Sequence, residues 1–308
     1  MNILVTGGLG FIGRHLSNLL LDQGHEVTAI GTRPNPRMIE HPKFHYIAAD
    51  TQKEGDWQES ARQADAVVNL AGRSIFRYWS KKNKREIHDS RILTTRNLVK
   101  AISGGNCGVL CSTSAVGFYG DGGEKVLTED ADPGDDFLAR LSLDWEREAK
   151  AAENHDVRVV IMRFGIVLAH DGGAMSKMIP AYRLFLGGSM GSGRQWFSWI
   201  HMKDLIDAAA FAASRKNFRG TYNFCSPVPV RQKDLAKTLG SFLRRPAVLH
   251  IPGFFIELLL GEFGRMLLNS QRAVPRNLQQ QEFEFQYPTL DAALHQVVEK
   301  GFWVAGVG

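Results

Sequence analysis

Apolar residues in this chain follow two patterns, short continuous runs and stripes at helical spacing. The first run covers residues 2–5 (NILV), and its β-branched, apolar character is typical of a strand buried on both faces. A glycine-rich break follows, after which Ile12, Leu16 and Leu20 recur on one side of a predicted helix. The chain therefore begins with a strand, a turn and a helix.

The same two patterns alternate along the rest of the chain. Strands are predicted at 26–30, 44–48, 65–70, 108–111, 157–164, 196–200 and 220–224. Helices are predicted at 80–103, 137–154, 174–186, 203–214, 232–243, 254–268 and 290–300, with a flexible loop at 187–193. Alternation of this kind predicts an α/β fold, a Rossmann-type doubly wound parallel sheet with a smaller C-terminal α/β lobe.

The order of the elements also predicts the domain organisation. We expect residues 1–165 to form a dinucleotide-binding domain, to which 196–226 return. Residues 166–308 are expected to form mainly a substrate lobe, including a tail at about 248–308.

Composition and charge narrow the classes of protein that remain. The 308 residues are 44% hydrophobic and 22% charged, which is ordinary for a globular protein. A net charge of +5 suits anionic small molecules, but the basic residues are dispersed, and the cluster at 81–85 is typical of a solvated helix face. We therefore expect no nucleic-acid partner.

Cysteine usage and targeting signals indicate a compartment. The three cysteines form neither a disulfide framework nor a metal-ligand spacing, so no metal is expected. Fold-bearing sequence begins at residue 2, and the most apolar stretch, 251–268, carries charges that a membrane span excludes. We expect a soluble, cytoplasmic protein with no membrane partner.

The glycine-rich turn at 6–13 (TGGLGFIG) carries the strongest functional signal. In a strand–turn–helix context, Gly7 permits the turn, Gly10 lets the backbone approach a pyrophosphate, and Gly13 lets the helix pack on the strand. The helix N-terminus then offers unpaired N–H groups to phosphates. We interpret the turn as a dinucleotide fingerprint rather than as a glycine turn without a ligand.

The end of the second predicted strand indicates which dinucleotide is preferred. No acid occurs between Ala29 and Arg37, and Arg33 stands where an Arg accommodates the 2′-phosphate of NADP. A charge-assisted hydrogen bond of about 1.5–3 kcal/mol favours NADP(H) over NAD(H) by roughly tenfold to hundredfold. The alternative is a surface Arg in a Pro-rich loop. Asp50 ends the third strand and either meets the adenine or forms a turn.

Small residues ending the fourth strand let the backbone pass close to a cofactor. The predicted cofactor site comprises Gly7, Gly10, Phe11, Ile12, Gly13, Thr32, Arg33, Asp50, Leu70, Ala71, Gly72, Ser112 and Phe164.

Hydroxyl groups follow the fifth predicted strand, at the edge of the sheet where ligands bind in doubly wound folds. Thr113 and Ser114 can hydrogen-bond a substrate oxygen there. Tyr119 lies on the loop just beyond, and it either donates to the substrate or packs under the loop. Arg163 ends the sixth strand and either forms a salt bridge within the fold or faces the cofactor.

Several motifs occur in order: TGGLGFIG at 6–13, NLAG at 69–72, STSAV at 112–116 with Tyr119, RFG at 163–165, and WIH at 199–201. Together they resemble the extended short-chain dehydrogenase/reductase superfamily, in its nucleotide-sugar epimerase and dehydratase group. The tail, with QR at 271–272 and YPTL at 287–290, is similar to an uncharacterised epimerase-like branch that has its own C-terminal domain. The resemblance covers essentially the whole chain and implies NADP binding. It also implies that Gln271 and Arg272 contact an anionic or polar substrate. Because histidine can change charge near neutral pH, His201 is either a further candidate for the substrate site or a satisfied structural histidine.

One departure from the family concerns proton transfer. Members that perform hydride chemistry carry Tyr and Lys four residues apart on the helix after the Ser/Thr strand, where the Lys lowers the pKa of the Tyr. Here that helix reads FLARLS at 137–142, and neither alignment supplies the pair. Tyr78 and Lys82 have the spacing but precede the strand.

Two classes of function therefore remain. The first is an NADP(H)-dependent oxidoreductase or epimerase-like enzyme, acting on an unidentified small carbonyl or sugar-type substrate with rearranged proton-transfer groups. The alternative is a non-catalytic redox sensor or assembly factor whose shape follows NADP(H) occupancy. Related folds dimerise through the helices predicted at 80–103 and 137–154, so a homodimer is an open alternative.

Overall fold

The structure is a computed structural model that describes residues 1–34 and 39–304. Residues 35–38, in the loop after Arg33, and residues 305–308, at the end of the predicted tail, lie outside the described residues.

Fifteen strands occur in the described chain: β1 (Asn2–Thr6), β2 (Glu26–Gly31), β3 (Phe44–Ala48), β4 (Ala66–Asn69), β5 (Val109–Ala115), β6 (Val126–Leu127), β7 (Arg158–Phe164), β8 (Ile166–Leu168), β9 (Gly188–Met190), β10 (Trp196–Phe197), β11 (Trp199–His201), β12 (Gly220–Phe224), β13 (Val230–Arg231), β14 (Leu249–Ile251) and β15 (Arg272–Ala273).

The α-helices in the same described ranges are α1 (Phe11–Asp22), α2 (Trp57–Gln63), α3 (Lys81–Ile102), α4 (Phe137–Lys150), α5 (Met175–Arg183), α6 (Met202–Ser214), α7 (Gln232–Leu243), α8 (Gly253–Leu260), α9 (Glu262–Leu267), α10 (Arg276–Gln280) and α11 (Leu290–Val304). Short 3₁₀ helices occupy Val116–Tyr119 and Ala151–His155. Among residues 1–34 and 39–304, no helix is both long and apolar enough to cross a membrane.

Contacts divide the chain into two compact units. The first unit comprises residues 1–115, 140–163 and 206–222, and the second comprises 116–139, 164–205 and the chain from 223 onward. The predicted boundaries placed 116–139 and 196–205 with the first region. They differ because β6 pairs with the tail strand β15, and β11 pairs with β8.

The first unit is built on a seven-stranded parallel sheet in the order β12-β7-β5-β4-β1-β2-β3. Strand order reverses between β1 and β4, which lie side by side with Thr6 opposite Asn69. This is the switch point at which open α/β sheets bind ligands. The doubly wound fold predicted from the alternation of strands and helices is confirmed.

The core of the first unit explains why its strands read as continuous apolar runs. Leu4, Val67 and Leu110 are fully buried, and Leu98 and Ile102 of α3 pack in the same cluster. A parallel sheet is covered by helices, so side chains on both faces of its strands lose contact with water. The Ser80 hydroxyl caps α3 by accepting from the Asn83 N–H at 3.1 Å.

The second unit contains short strand pairs and a separate apolar core. Trp199, Leu239 and Leu294 are fully buried together in that core. The loop predicted at 187–193 contains β9, which pairs with β14. The strand predicted at 196–200 is divided into β10 and β11, and the helix predicted at 254–268 breaks at Gly261, whose φ is +60°. Only glycine adopts that backbone conformation easily.

Candidate functional site

The glycine turn after β1 is a tightly packed cradle. Gly7 has a φ of +65°, and its carbonyl accepts from the Gly10 N–H at 2.8 Å. A Cβ on Gly13 would lie 2.1 Å from the Gly7 oxygen, so any side chain there would displace the turn. Gly10 begins α1 without a side-chain cap, and the first turn of α1 contains no acid. These features leave the helix N-terminus suited to an anion.

A buried hydrogen-bond chain fixes the β4 side of this turn. The Thr6 hydroxyl donates to Asn69 Oδ1 at 2.7 Å, and the Thr6 oxygen accepts from the Ala71 N–H at 3.3 Å. Asn69 Nδ2 donates in turn to the Thr95 hydroxyl at 2.9 Å. This chain ties β1 to β4 and α3, and it places the small residues after β4 against Gly7, whose Cβ position is 3.1 Å from the Leu70 oxygen.

A cleft of about 810 Å³ opens at this edge of the sheet within the first unit. Its lining includes these predicted cofactor residues: Gly7, Gly10, Phe11, Ile12, Gly13, Thr32, Asp50, Leu70, Ala71 and Gly72. Asp50 forms a local turn, because its Oδ1 accepts from the backbone N–H of Gln52 at 3.1 Å, and it also lines the cleft. Both interpretations of Asp50 therefore fit.

Three predicted cofactor residues lie outside that lining. Arg33 is exposed, and its carbonyl accepts from the Tyr46 hydroxyl at 2.9 Å. Ser112 is 1% exposed and its hydroxyl is 3.5 Å from Asn69 Nδ2. Phe164 belongs to the second unit, where its ring packs on Phe224 at a centroid distance of 5.7 Å.

The cleft also contains Arg91, which the sequence analysis missed. This side chain projects from α3, and Gly72 lies directly against its guanidinium. A basic residue within a long helix gives no signal in the sequence that distinguishes it from a solvated charge.

Ser114, at the end of β5, belongs to a buried polar cluster. Its hydroxyl donates to Glu146 Oε1 at 2.7 Å. Arg163 donates from Nε to Oε1 at 2.8 Å and from Nη2 to Oε2 at 2.9 Å, so the pair is bidentate. All three residues are less than 5% exposed. Of the two alternatives for Arg163, the structure therefore shows the salt bridge within the fold.

This cluster determines what the Ser114 hydroxyl can offer a ligand. A hydroxyl has one proton, and here it points at a carboxylate, so only the oxygen lone pairs remain. Thr113 differs, because its hydroxyl is buried and has no hydrogen-bond partner among the described residues. The available donor at the end of β5 is thus Thr113.

Tyr119 and several side chains of α4 are buried within the protein. The Tyr119 hydroxyl donates to Asn223 Oδ1 at 2.7 Å, and the residue is 4% exposed, within the second unit. Leu138, Leu141 and Ser142 are buried. None of these α4 side chains can exchange a proton near neutral pH.

The three predicted substrate residues occupy the second unit. His201 is 3% exposed, its Nε2 is 2.8 Å from Gln296 Oε1, and its Nδ1 accepts from the Lys203 N–H at 3.2 Å. Gln271 Nε2 donates to the Gly120 oxygen at 3.1 Å. These contacts hold both side chains within the lobe.

Arg272 is placed differently from those two residues. Its guanidinium carbon lies 4.5 Å from the centre of the Trp196 ring, and the guanidinium carbon of Arg231 lies 3.8 Å from the same centre. Arg231 is paired with Glu124 at 2.8 Å, whereas no carboxylate of the described chain is within ion-pair distance of Arg272. Of the three predicted substrate residues, Arg272 retains the donors that an anion needs.

A glycine turn at the switch point of a doubly wound parallel sheet defines the Rossmann class of dinucleotide-binding folds. Comparison with known proteins gives the family within that class. Residues 3–225 match the NAD dependent epimerase/dehydratase family, and residues 251–297 match a domain of unknown function, DUF1731. The chain belongs to the NAD-dependent epimerase/dehydratase family, as its motifs predicted.

Relatives match almost the full length of the chain. The chloroplastic epimerase family protein SDR39U1 homolog of Arabidopsis thaliana is 37% identical over 97% of this chain and 87% of that protein. Epimerase family protein YfhF of Bacillus subtilis is 37% identical over 97% of this chain and 98% of that protein. The crystal structure of human epimerase family protein SDR39U1 with NADPH superposes with a TM-score of 0.86, at 33% identity over 97% and 99% of the two chains.

Proposed function

We propose that the chain binds NADP(H) in the cleft of the first unit and acts as an epimerase-like oxidoreductase on a small carbonyl or sugar-type substrate. The observation that carries the proposal is the glycine cradle, in which a Cβ on Gly13 would meet the Gly7 oxygen at 2.1 Å. This close packing fixes the glycine turn and the uncapped N-terminus of α1, whose N–H groups suit a pyrophosphate. The human relative with NADPH supports the choice of nucleotide.

The side chains at the end of β5 suit a carbonyl reaction in which the nicotinamide exchanges hydride with the substrate carbon. The Thr113 hydroxyl, for which the described residues provide no hydrogen-bond partner, donates to the substrate oxygen. The Ser114 hydroxyl donates its hydrogen bond to Glu146, so its oxygen remains as an acceptor that orients a substrate hydroxyl. An orphaned buried hydroxyl costs about 1–3 kcal/mol, and a substrate oxygen relieves that cost.

Arg272 is the anion contact that we propose within the second unit. Its guanidinium carbon lies 4.5 Å from the centre of the Trp196 ring and no acidic partner pairs with it in the described chain, so it can contact a carboxylate or phosphate group. We assign Gln271 a supporting role, since it anchors the backbone at Gly120. His201 has no role in the proposal because both ring nitrogens are engaged inside the lobe.

The alternative function, a non-catalytic NADP(H) sensor, is favoured by one observation. Ser114 and Tyr119 both donate their protons to protein groups, and α4 supplies no Tyr/Lys pair. Oxidation of NADPH by a panel of aldehydes, ketones and quinones separates the two functions. Turnover that is lost in Thr113→Val supports the enzyme, and binding without turnover supports the sensor.

Nucleotide selectivity is tested by titrating tryptophan fluorescence with NADPH, NADH and NADP⁺, before and after Arg33→Ala. A lost charge-assisted hydrogen bond weakens NADPH binding by about tenfold to hundredfold and leaves NADH unchanged. Equal affinities of the unaltered protein for NADPH and NADH would contradict the NADP preference. Absence of binding by every nucleotide would contradict the proposal as a whole.

A further inference from the structure

Arg91 is a half-buried arginine that lines the cleft, and its guanidinium carbon lies 5.2 Å from the centre of the Trp145 ring. Its Nη1 donates to the carbonyls of Arg73 and Ile87, each at 3.0 Å, and contacts the Ser90 hydroxyl at 3.5 Å. The hydrogen bonds from its guanidinium to described residues all leave from Nη1. Nε and Nη2 face Gly72, at 3.3 and 3.2 Å from the position of a Cβ on that glycine. The side chain is therefore pre-organised and retains two donor groups.

This arginine also lacks a counter-ion. Over residues 1–34 and 39–304, no carboxylate lies within ion-pair distance of its guanidinium. Burial without a compensating acid lowers the pKa of Arg91 to about 10, so the group stays cationic at neutral pH. Arg96, five residues further along α3, shows the opposite case, because the hydrogen bond that it donates to the Glu148 carboxylate raises the pKa of Arg96.

The position of Arg91 relative to the glycine turn indicates which anion it faces. A Cβ on Gly7 would lie 3.3 Å from Ala71, and a Cβ on the next residue, Gly72, would lie 3.0 Å from the Arg91 guanidinium carbon. The charge is thus beside the turn, on the β4 side of β1. Arg33 follows β2 on the other side, and two strand spacings amount to about 10 Å.

We propose that Arg91 binds the diphosphate that NADP(H) and NAD(H) share, and so sets affinity for both nucleotides without selecting between them. The inference rests on the proposed nucleotide site and divides it into two cations with separate tasks. Arg91 neutralises the diphosphate at the glycine turn, while Arg33 selects for the 2′-phosphate. A Cβ at Gly72 would lie 3.0–3.3 Å from guanidinium atoms of Arg91, so it would displace the guanidinium by a few tenths of an ångström.

The test compares Arg91→Met with Arg96→Met, which makes the same change on an exposed, Glu148-paired residue of the same helix. Fluorescence titrations measure the dissociation constants for NADPH and NADH. Arg91→Met is expected to weaken both by the same factor, about tenfold or more, and Arg96→Met to change neither. In Arg91→Met, ADP-ribose, which contains the diphosphate, should compete more weakly by the same factor. Competition by adenosine, which has no diphosphate, should not change.

Each other outcome overturns the inference. A loss confined to NADPH would assign Arg91 to the 2′-phosphate, and unchanged affinities would make it a structural residue. Should Arg91→Met fail to fold, by circular dichroism and thermal melting, Arg91→Lys and Gly72→Ala replace it, and both must weaken the two nucleotides together. If the unaltered protein binds no nucleotide, the proposed function fails first. If it binds while Arg91→Met binds as well, only this inference fails.

Discussion

Two polar regions lie at the carboxyl edge of the sheet in the first unit, and they differ in whether their polar groups are paired within the protein. The glycine turn after β1 leaves a helix N-terminus without a side-chain cap or acid, and Arg91 has no carboxylate partner in the described chain. At the end of β5, Ser114, Glu146 and Arg163 satisfy one another. Open donors serve a ligand, whereas closed pairs serve the fold. We therefore expect the open region to bind the proposed nucleotide and the closed cluster to stabilise the fold.

The largest effect is expected from filling the glycine cradle. In Gly13→Ala the new Cβ meets the Gly7 oxygen at 2.1 Å, so the turn must move. Loss of the charge-assisted hydrogen bonds at such a site costs about 3 kcal/mol, which corresponds to roughly a hundredfold loss of NADPH affinity in a fluorescence titration. Gly108→Ala is the matched control, because the nearest atom to its Cβ is 3.7 Å away. Retained affinity in Gly13→Ala would show that the cradle is not the nucleotide site.

Breaking the closed pair should mainly affect stability. Glu146→Ala removes the bidentate carboxylate partner of the buried Arg163 guanidinium, and breaking a buried ion pair destabilises a fold by about 3–5 kcal/mol. Urea unfolding measures this loss. Glu146→Gln, which still accepts hydrogen bonds, should be milder, and Glu148→Ala, which breaks the exposed pair with Arg96, should change stability by about 1 kcal/mol or less. Equal small effects of Glu146→Ala and Glu148→Ala would remove the distinction between closed and exposed pairs.

The smallest effect is expected at Thr113 and has opposite signs for stability and activity. Thr113→Val removes a buried hydroxyl that has no hydrogen-bond partner in the part of the chain that the structure describes, so the free energy of unfolding should rise by up to about 1–3 kcal/mol. In Thr113→Val, turnover should fall while NADPH affinity stays constant. Thr113→Ser, which keeps the hydroxyl, should retain turnover. Thermal melting and steady-state kinetics check both signs. A destabilised Thr113→Val would show that the hydroxyl has a partner inside the protein.

Local patterns in the sequence predicted much of the fold. The run NILV, the glycine turn and the stripe through Leu16 and Leu20 predicted β1 and α1, and the structure has them at Asn2–Thr6 and Phe11–Asp22. The predictions were wrong where pairing depends on distant residues. The loop at 187–193 contains a strand because β14 lies beside it, some sixty residues later in the sequence.

The candidate site divides along the same line. The sequence alone determined the family, the doubly wound sheet and the glycine turn, because glycine spacing and apolar periodicity act over a few residues. Only the tertiary structure decided that the Ser114 hydroxyl donates a hydrogen bond to Glu146, 32 residues away, and that Arg163 has an acidic partner whereas Arg91 has none among the described residues. The direction of a hydrogen bond and the presence of a counter-ion depend on which side chains long-range packing brings together, and no local pattern encodes that.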